Sequence, residues 1–139
     1  MLRVLLDTNV LLDLTLRREP WLTQAKAMWD ARDTRQISCY VPASSLTDIY
    51  YISRKQIGND QAKSALEYCL VNFEICAVNR LVIEHALSLP GNDVEDNVII
   101  SCALAEAIDL IVTRNIGDFT HSPIQAVEPP EVLKHLPRP

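Results

Sequence analysis

The strongest constraint on the fold lies in the opening stretch MLRVLLDTNVLLDLTL. A short, mostly apolar run from Leu2 to Leu6 stops at Asp7-Thr8-Asn9, and apolar residues then recur at Val10, Leu11, Leu12 and Leu14. A short bounded apolar run suits a strand buried on both faces of a parallel sheet. Asp, Thr and Asn are all good helix N-caps, so a helix is predicted to follow with almost no loop, until Pro20 interrupts it. A chain that passes from buried strand to helix through a carboxylate places that carboxylate at the carboxyl edge of a sheet. In open α/β folds this edge is where ligands bind.

The same alternation continues along the chain. The patterning predicts a helix over 21–32, a strand over 37–41, and helices over 44–55 and 60–72. A strand over 74–78, a helix over 81–88, a helix over 94–108 and a strand over 110–113 follow. Ile124 to Val127, ahead of Pro129-Pro130, reads as an edge strand and a last helical turn. Strands separated by helices require right-handed crossovers. The expected architecture is a three-layer α/β/α domain with a mostly parallel central sheet of four or five strands.

A chain of 139 residues suits one domain over 1–139, large enough for a single substantial core. With 48% hydrophobic and 22% charged residues and three glycines, it reads as globular rather than disordered. Asp7, Asp13, Arg17 and Arg18 cut the N-terminal apolar pattern, which therefore reads as neither signal peptide nor membrane helix. Cys39, Cys69, Cys76 and Cys102 show no Cys-x-x-Cys spacing and sit in apolar segments, as buried reduced thiols of a cytoplasmic protein do. The net charge of −5 argues at first against a polyanionic partner. Four carboxylates withdrawn into a metal site would leave the rest of the surface close to neutral.

Asp118 follows the apolar strand LIVT after the turn Arg114-Asn115-Ile116-Gly117, so it reaches the same sheet edge as Asp7. Asp96 lies in the first turn of the helix that starts near Val94, and Asp48 lies one turn into the helix after Val41. Each acid also has a purely structural reading: Asp7 and Asp93 as N-caps, Asp96 as a partner of the helix dipole, Asp48 as part of a cap, Asp118 as a turn residue. Their joint placement is what points to a site.

These segments resemble the PIN-domain ribonucleases, a family that includes the VapC-like toxins of bacterial toxin-antitoxin modules. The resemblance rests on LLDTNVLLDL, SSLTDIYYISRK, DVEDNVIISCALAEAIDLIVTRNIGDF and the proline of AVEPPEVL, and it covers nearly the whole chain. It implies metal ligands at Asp7, Asp48, Asp96 and Asp118, the second more often glutamate in the family, with Asp93 a further candidate. It also implies supporting polar residues at Thr8 or Asn9, and at Thr113 and Asn115. Hydrolysis of RNA, dimerisation into a homodimer and an antitoxin protein as partner are further implications. Asn97 stands where relatives often carry a small residue.

Two unit charges about 4 Å apart repel by about 4 kcal/mol at an effective dielectric near 20, so a cluster of four carboxylates calls for a cation. An all-oxygen donor set without a Cys/His cluster favours Mg2+ or Mn2+ over zinc. Such an ion lowers the pKa of a bound water and stabilises charge on a leaving oxygen, which suits phosphodiester hydrolysis. Arg17, Arg18, Arg54, Lys55 and Arg114 follow the candidate segments and are predicted phosphate contacts or solvated surface charges; with Thr8, Asn9, Thr113 and Asn115 they form the expected substrate surface. His85, His121 and His135 share no motif and read as surface or structural residues. Tyr50 and Tyr51 could stack on bases. Two rivals remain: an aspartyl phosphoryl-transfer enzyme, disfavoured because Asn9 stands where a second acid is needed, and a non-catalytic binding module.

Overall fold

The computed structural model describes residues 1–137. Strand β1 (Leu2–Leu6) leads directly into helix α1 (Thr8–Thr15). Helices α2 (Trp21–Gln24) and α3 (Lys26–Asp33) follow, then strand β2 (Ile37–Pro42), the long helix α4 (Ala43–Asn72) and strand β3 (Glu74–Cys76). Helices α5 (Arg80–Ser88) and α6 (Val94–Ala105), strand β4 (Leu110–Val112), a 3-10 turn (Ile116–Phe119), strand β5 (Ala126–Val127) and a 3-10 segment (Pro129–His135) complete the described chain.

The five strands form one parallel sheet in the order β3-β2-β1-β4-β5. The chain starts in the middle, builds outward through β2 and β3, then returns to the other side of β1 with β4. Val4 pairs with Cys39 on one side and Leu110 on the other. Being central, β1 is hidden on both faces, and Val4, Leu5 and Leu6 are wholly buried. Alternation sends Val4 and Leu6 into a cluster with α1, α3 and α4, around Leu11, Met28 and Ile49. Leu5 points the other way, among Val82 and Ala86 of α5 and Ile99, Ile100 and Ala103 of α6. The expected three layers are therefore present.

Two local differences from the expected elements are present, at Ala25 and at the end of α6. The helix expected over 21–32 is broken at Ala25, which is buried in the core and has no capping side chain. Helix α6 stops at Ala105 because Ala107 adopts a positive φ of 51°. The two helices expected over 44–55 and 60–72 are both present as the two arms of α4, separated at the non-helical Gly58, whose φ of 82° is one that glycine adopts without steric cost.

Candidate active site

In an open parallel sheet the ligand crevice lies beyond the carboxyl ends of the strands, where the strand order reverses. Here that point falls between β1 and β4. The Asp7 N–H still donates to the Val112 carbonyl at 2.9 Å, so Asp7 is held at this junction by the last rung of the ladder. Its backbone is extended (φ −70°, ψ 155°), and it is the N-cap of α1: the Thr8 N–H donates to Oδ1 at 2.7 Å. The Thr113 hydroxyl donates to Oδ2 at 2.7 Å, and Thr113 Oγ1 in turn accepts the Asn115 N–H at 3.0 Å. The carboxylate that caps α1 is therefore also the one that Thr113 holds at the sheet edge. Burial pushes the Asp7 pKa up, the bonds from Thr113 and Thr8 oppose that, and the nearby carboxylates of Asp118 and Asp93 push it up further.

Helix α6 brings the next acids. Asp93 is its N-cap, accepting the Asp96 N–H at 3.0 Å. Asp96, in the first turn, is pushed up to about 7, first by burial and then by the carboxylates of Asp93, Asp7, Asp118 and Glu95. Asp118 lies in the 3-10 turn after β4 and faces water, as do Asp48 and Asp93. Asp7, Asp93, Asp96 and Asp118 thus form one mutually repelling group. Asp48, on α4, meets it through a residue that the sequence reading passed over. The Glu95 pKa is raised by burial and then by the carboxylates of Asp48, Asp7 and Asp93. The available signal for Glu95 was its position among the acids of the same first turn.

The remaining polar residues separate into two sets. Arg17 and Arg54 are exposed, and the Arg54 guanidinium lies 5.0 Å from the centre of the Tyr51 ring. Arg114, by contrast, is engaged inside the protein: Nε donates to Asp13 Oδ2 at 2.7 Å and Nη2 to Oδ1 at 3.3 Å. Asn9 Oδ1 accepts the Arg114 backbone N–H at 3.4 Å, and the Thr8 hydroxyl donates to Ser45 Oγ at 3.5 Å. Asn97 is buried, with Nδ2 donating to the Gly91 carbonyl at 2.8 Å and Oδ1 lying 2.8 Å from His121 Nε2. His121 is thus structural, and all four cysteines are buried free thiols.

The donor set suits a hard divalent cation, since it is all oxygen and the carboxylates of Asp93 and Asp118 raise the pKa of both Asp7 and Asp96, which a cation would relieve. As the side chains stand, no group of three or more His, Cys, Asp or Glu among the described residues is gathered closely enough to hold a metal ion. Asp93, Asp96 and Asp118 lie on a helix start and a surface turn, where side-chain rotation alone changes their spacing.

A parallel α/β sheet with Asp7 at its switch point and further acids near it defines an open α/β class of protein. The chain belongs to the PIN domain family, whose profile matches residues 3–117. Its fold is similar to that of VapBC from Salmonella typhimurium bound to DNA, at 16% identity over 93% of this chain and 99% of that chain, with a TM-score of 0.71. It is also similar to VapBC2 from Rickettsia felis bound to a DNA fragment from their promoter, at 19% identity, 91% and 98% coverage and a TM-score of 0.68. A third is Mycobacterium tuberculosis VapC20, a Sarcin-Ricin loop cleaving toxin, at 13% identity, 78% and 86% coverage and a TM-score of 0.64. No curated protein sequence matches the chain. Among the described residues no helix is long and apolar enough to cross a membrane.

Proposed function

We propose that the protein is a metal-dependent endoribonuclease that hydrolyses RNA phosphodiester bonds, and the toxin of a toxin-antitoxin pair. The observation that supports this reading is that Asp7, held at the β1/β4 switch point of a PIN domain, and Asp96 both feel the carboxylates of Asp93 and Asp118. Mg2+ or Mn2+ held by Asp7, Asp96 and Asp118, with Asp48 and Asp93 contributing directly or through water, would supply an activated water and charge stabilisation on the leaving oxygen. The chain itself does the positioning. Asp7 is held by two hydrogen bonds, from the Thr8 N–H and the Thr113 hydroxyl, while Asn9 and Asn115 brace the turn that follows β4. Arg17 and Arg54 offer exposed positive charge to substrate phosphates. An antitoxin protein and a second copy of the chain are the proposed partners, since the similar structures include VapBC complexes.

The test is to incubate the protein with structured and single-stranded RNAs, with manganese or with chelator, alongside Asp7→Asn and Asp96→Asn. Cleavage by the wild type alone, with metal alone, is the expected result. The second reading, a binding module with a degenerate site, draws on the shorter Asp48 and on the spread of the acids. Millimolar manganese separates the two: it raises the melting temperature of the wild type but not of Asp7→Asn if the site is real, and of neither if it is degenerate. For the toxin role, growth arrest on expression of the wild type but not of Asp96→Asn is expected; equal growth sinks it.

A further inference from the structure

Arg114 follows directly on Thr113, and its side chain is about three-quarters buried, 24% exposed. Its guanidinium is gripped edge-on by the Asp13 carboxylate at 2.7 and 3.3 Å, and its carbon lies 4.0 Å from the centre of the Trp21 ring. Asp13 is 4% exposed, and a carboxylate buried to that degree needs a paired cation. Asn9 and Asp13 lie one turn apart on the same face of α1, and both hold Arg114: Asn9 by the backbone N–H, Asp13 by the side chain. Arg114 in turn sits between Thr113, which donates to Asp7, and Asn115, whose N–H fixes the Thr113 oxygen so that its proton is directed at Asp7.

We infer that Asn9, Asp13 and Trp21 clamp Arg114 as a positioning residue, which sets the turn carrying Thr113 and Asp118 against Asp7, and that Arg114 does not contact substrate phosphate. Its charge is neutralised by Asp13 and one face of its guanidinium is covered by Trp21, so little of it is left for a polyanion. The inference rests on the nuclease reading above and concerns how the site of that reading is held in register. Groups that orient metal ligands from behind change metal affinity about tenfold to a hundredfold when altered.

The experiment compares the wild type with Arg114→Lys, Asp13→Asn and the double variant Asp13→Leu/Arg114→Met, which leaves no unpaired charge buried. Thermal melts establish that each is folded at the assay temperature. The readouts are manganese affinity by calorimetry, and kcat and KM for cleavage of a fluorogenic RNA oligonucleotide at several salt concentrations. The clamp predicts that all three variants lose about tenfold or more in manganese affinity and in kcat, with KM and its salt dependence unchanged. Arg114→Lys is decisive, because lysine keeps the charge but cannot make the forked, stacked contact. A phosphate contact predicts the reverse: Arg114→Lys active, the double variant raised in KM with a shallower salt slope, and Asp13→Asn lowered in KM by freeing the guanidinium. That pattern overturns the inference, as does unchanged manganese affinity in all three. A wild type that binds manganese but cleaves no RNA sinks the nuclease reading while the affinities still judge the clamp.

Discussion

The hydroxyl of Thr113 donates to Oδ2 of Asp7 at 2.7 Å, joining side chains 106 residues apart at the adjoining ends of β4 and β1. Both residues are buried, and with the Thr8 N–H on Oδ1 the carboxylate has a partner on each oxygen. A carboxylate held this way cannot turn from the crevice without losing hydrogen bonds that water cannot readily replace.

Replacing that donor tests its role directly. Thr113→Val keeps the shape and removes the hydroxyl, leaving a buried carboxylate oxygen short of a partner, which costs about 1–3 kcal/mol. The expected result is a lower denaturation midpoint and manganese binding weakened about tenfold. Thr113→Ser keeps the donor and should bind manganese as the wild type does. Calorimetry on the three proteins checks this, and equal affinities would contradict it.

Stability should depend on pH with a definite sign. The Asp96 pKa is raised from an ordinary 3.8 to about 7 in the metal-free fold, so the folded chain holds that proton more tightly than the unfolded chain. The stability this contributes is fully present below about pH 4 and is lost as pH rises through 7. In chelator, therefore, the Asp96-dependent part of the melting temperature should fall between pH 5 and pH 8. Asp96→Asn should flatten that decline and be more stable than the wild type at pH 8. A steeper decline in the variant would reverse the assignment.

Glu95 carries a prediction of its own, because it stands between the Asp7 group and Asp48. Glu95→Gln removes one repelling charge. The metal-free protein should then melt higher than the wild type at pH 8, while manganese affinity falls. Loss of affinity without a gain in metal-free stability would mean that Glu95 is not part of the repelling group.

The loop that leads into α6 depends on Gly91. A β-carbon there would collide with the His121 ring and the Asn97 amide, the pair that ties this loop to the segment after Asp118. Gly91→Ala should destabilise the fold by about 1–3 kcal/mol, the usual cost of forcing atoms into filled space. Urea denaturation measures it. Combining it with His121→Ala, which removes the ring, should recover part of the loss.

Much of this was legible locally. The run from Leu2 to Leu6, the cap types Asp7-Thr8-Asn9 and the first-turn acids of α6 are patterns set within a few residues, and strands, caps and helix dipoles respond to neighbours at that range. Even the bend at Gly58 showed as a gap between two helical patterns. The break at Ala25 did not, since alanine favours helix and nothing local marks a stop there.

What the sequence by itself determined is the order of strands and helices and the placement of Asp7, Asp96 and Asp118 at carboxyl edges or helix starts. What tertiary structure alone decided is partnership. Arg114 read as a phosphate contact beside the crevice, and the fold ties it to Asp13, 101 residues away. Asn97 read only as a departure from the small residue of relatives, and the fold pairs it with Gly91 and His121. Periodicity assigns a residue to an element and a face. Which charge meets which depends on how β4 returns beside β1, and that return is set by burying both faces of the sheet at once.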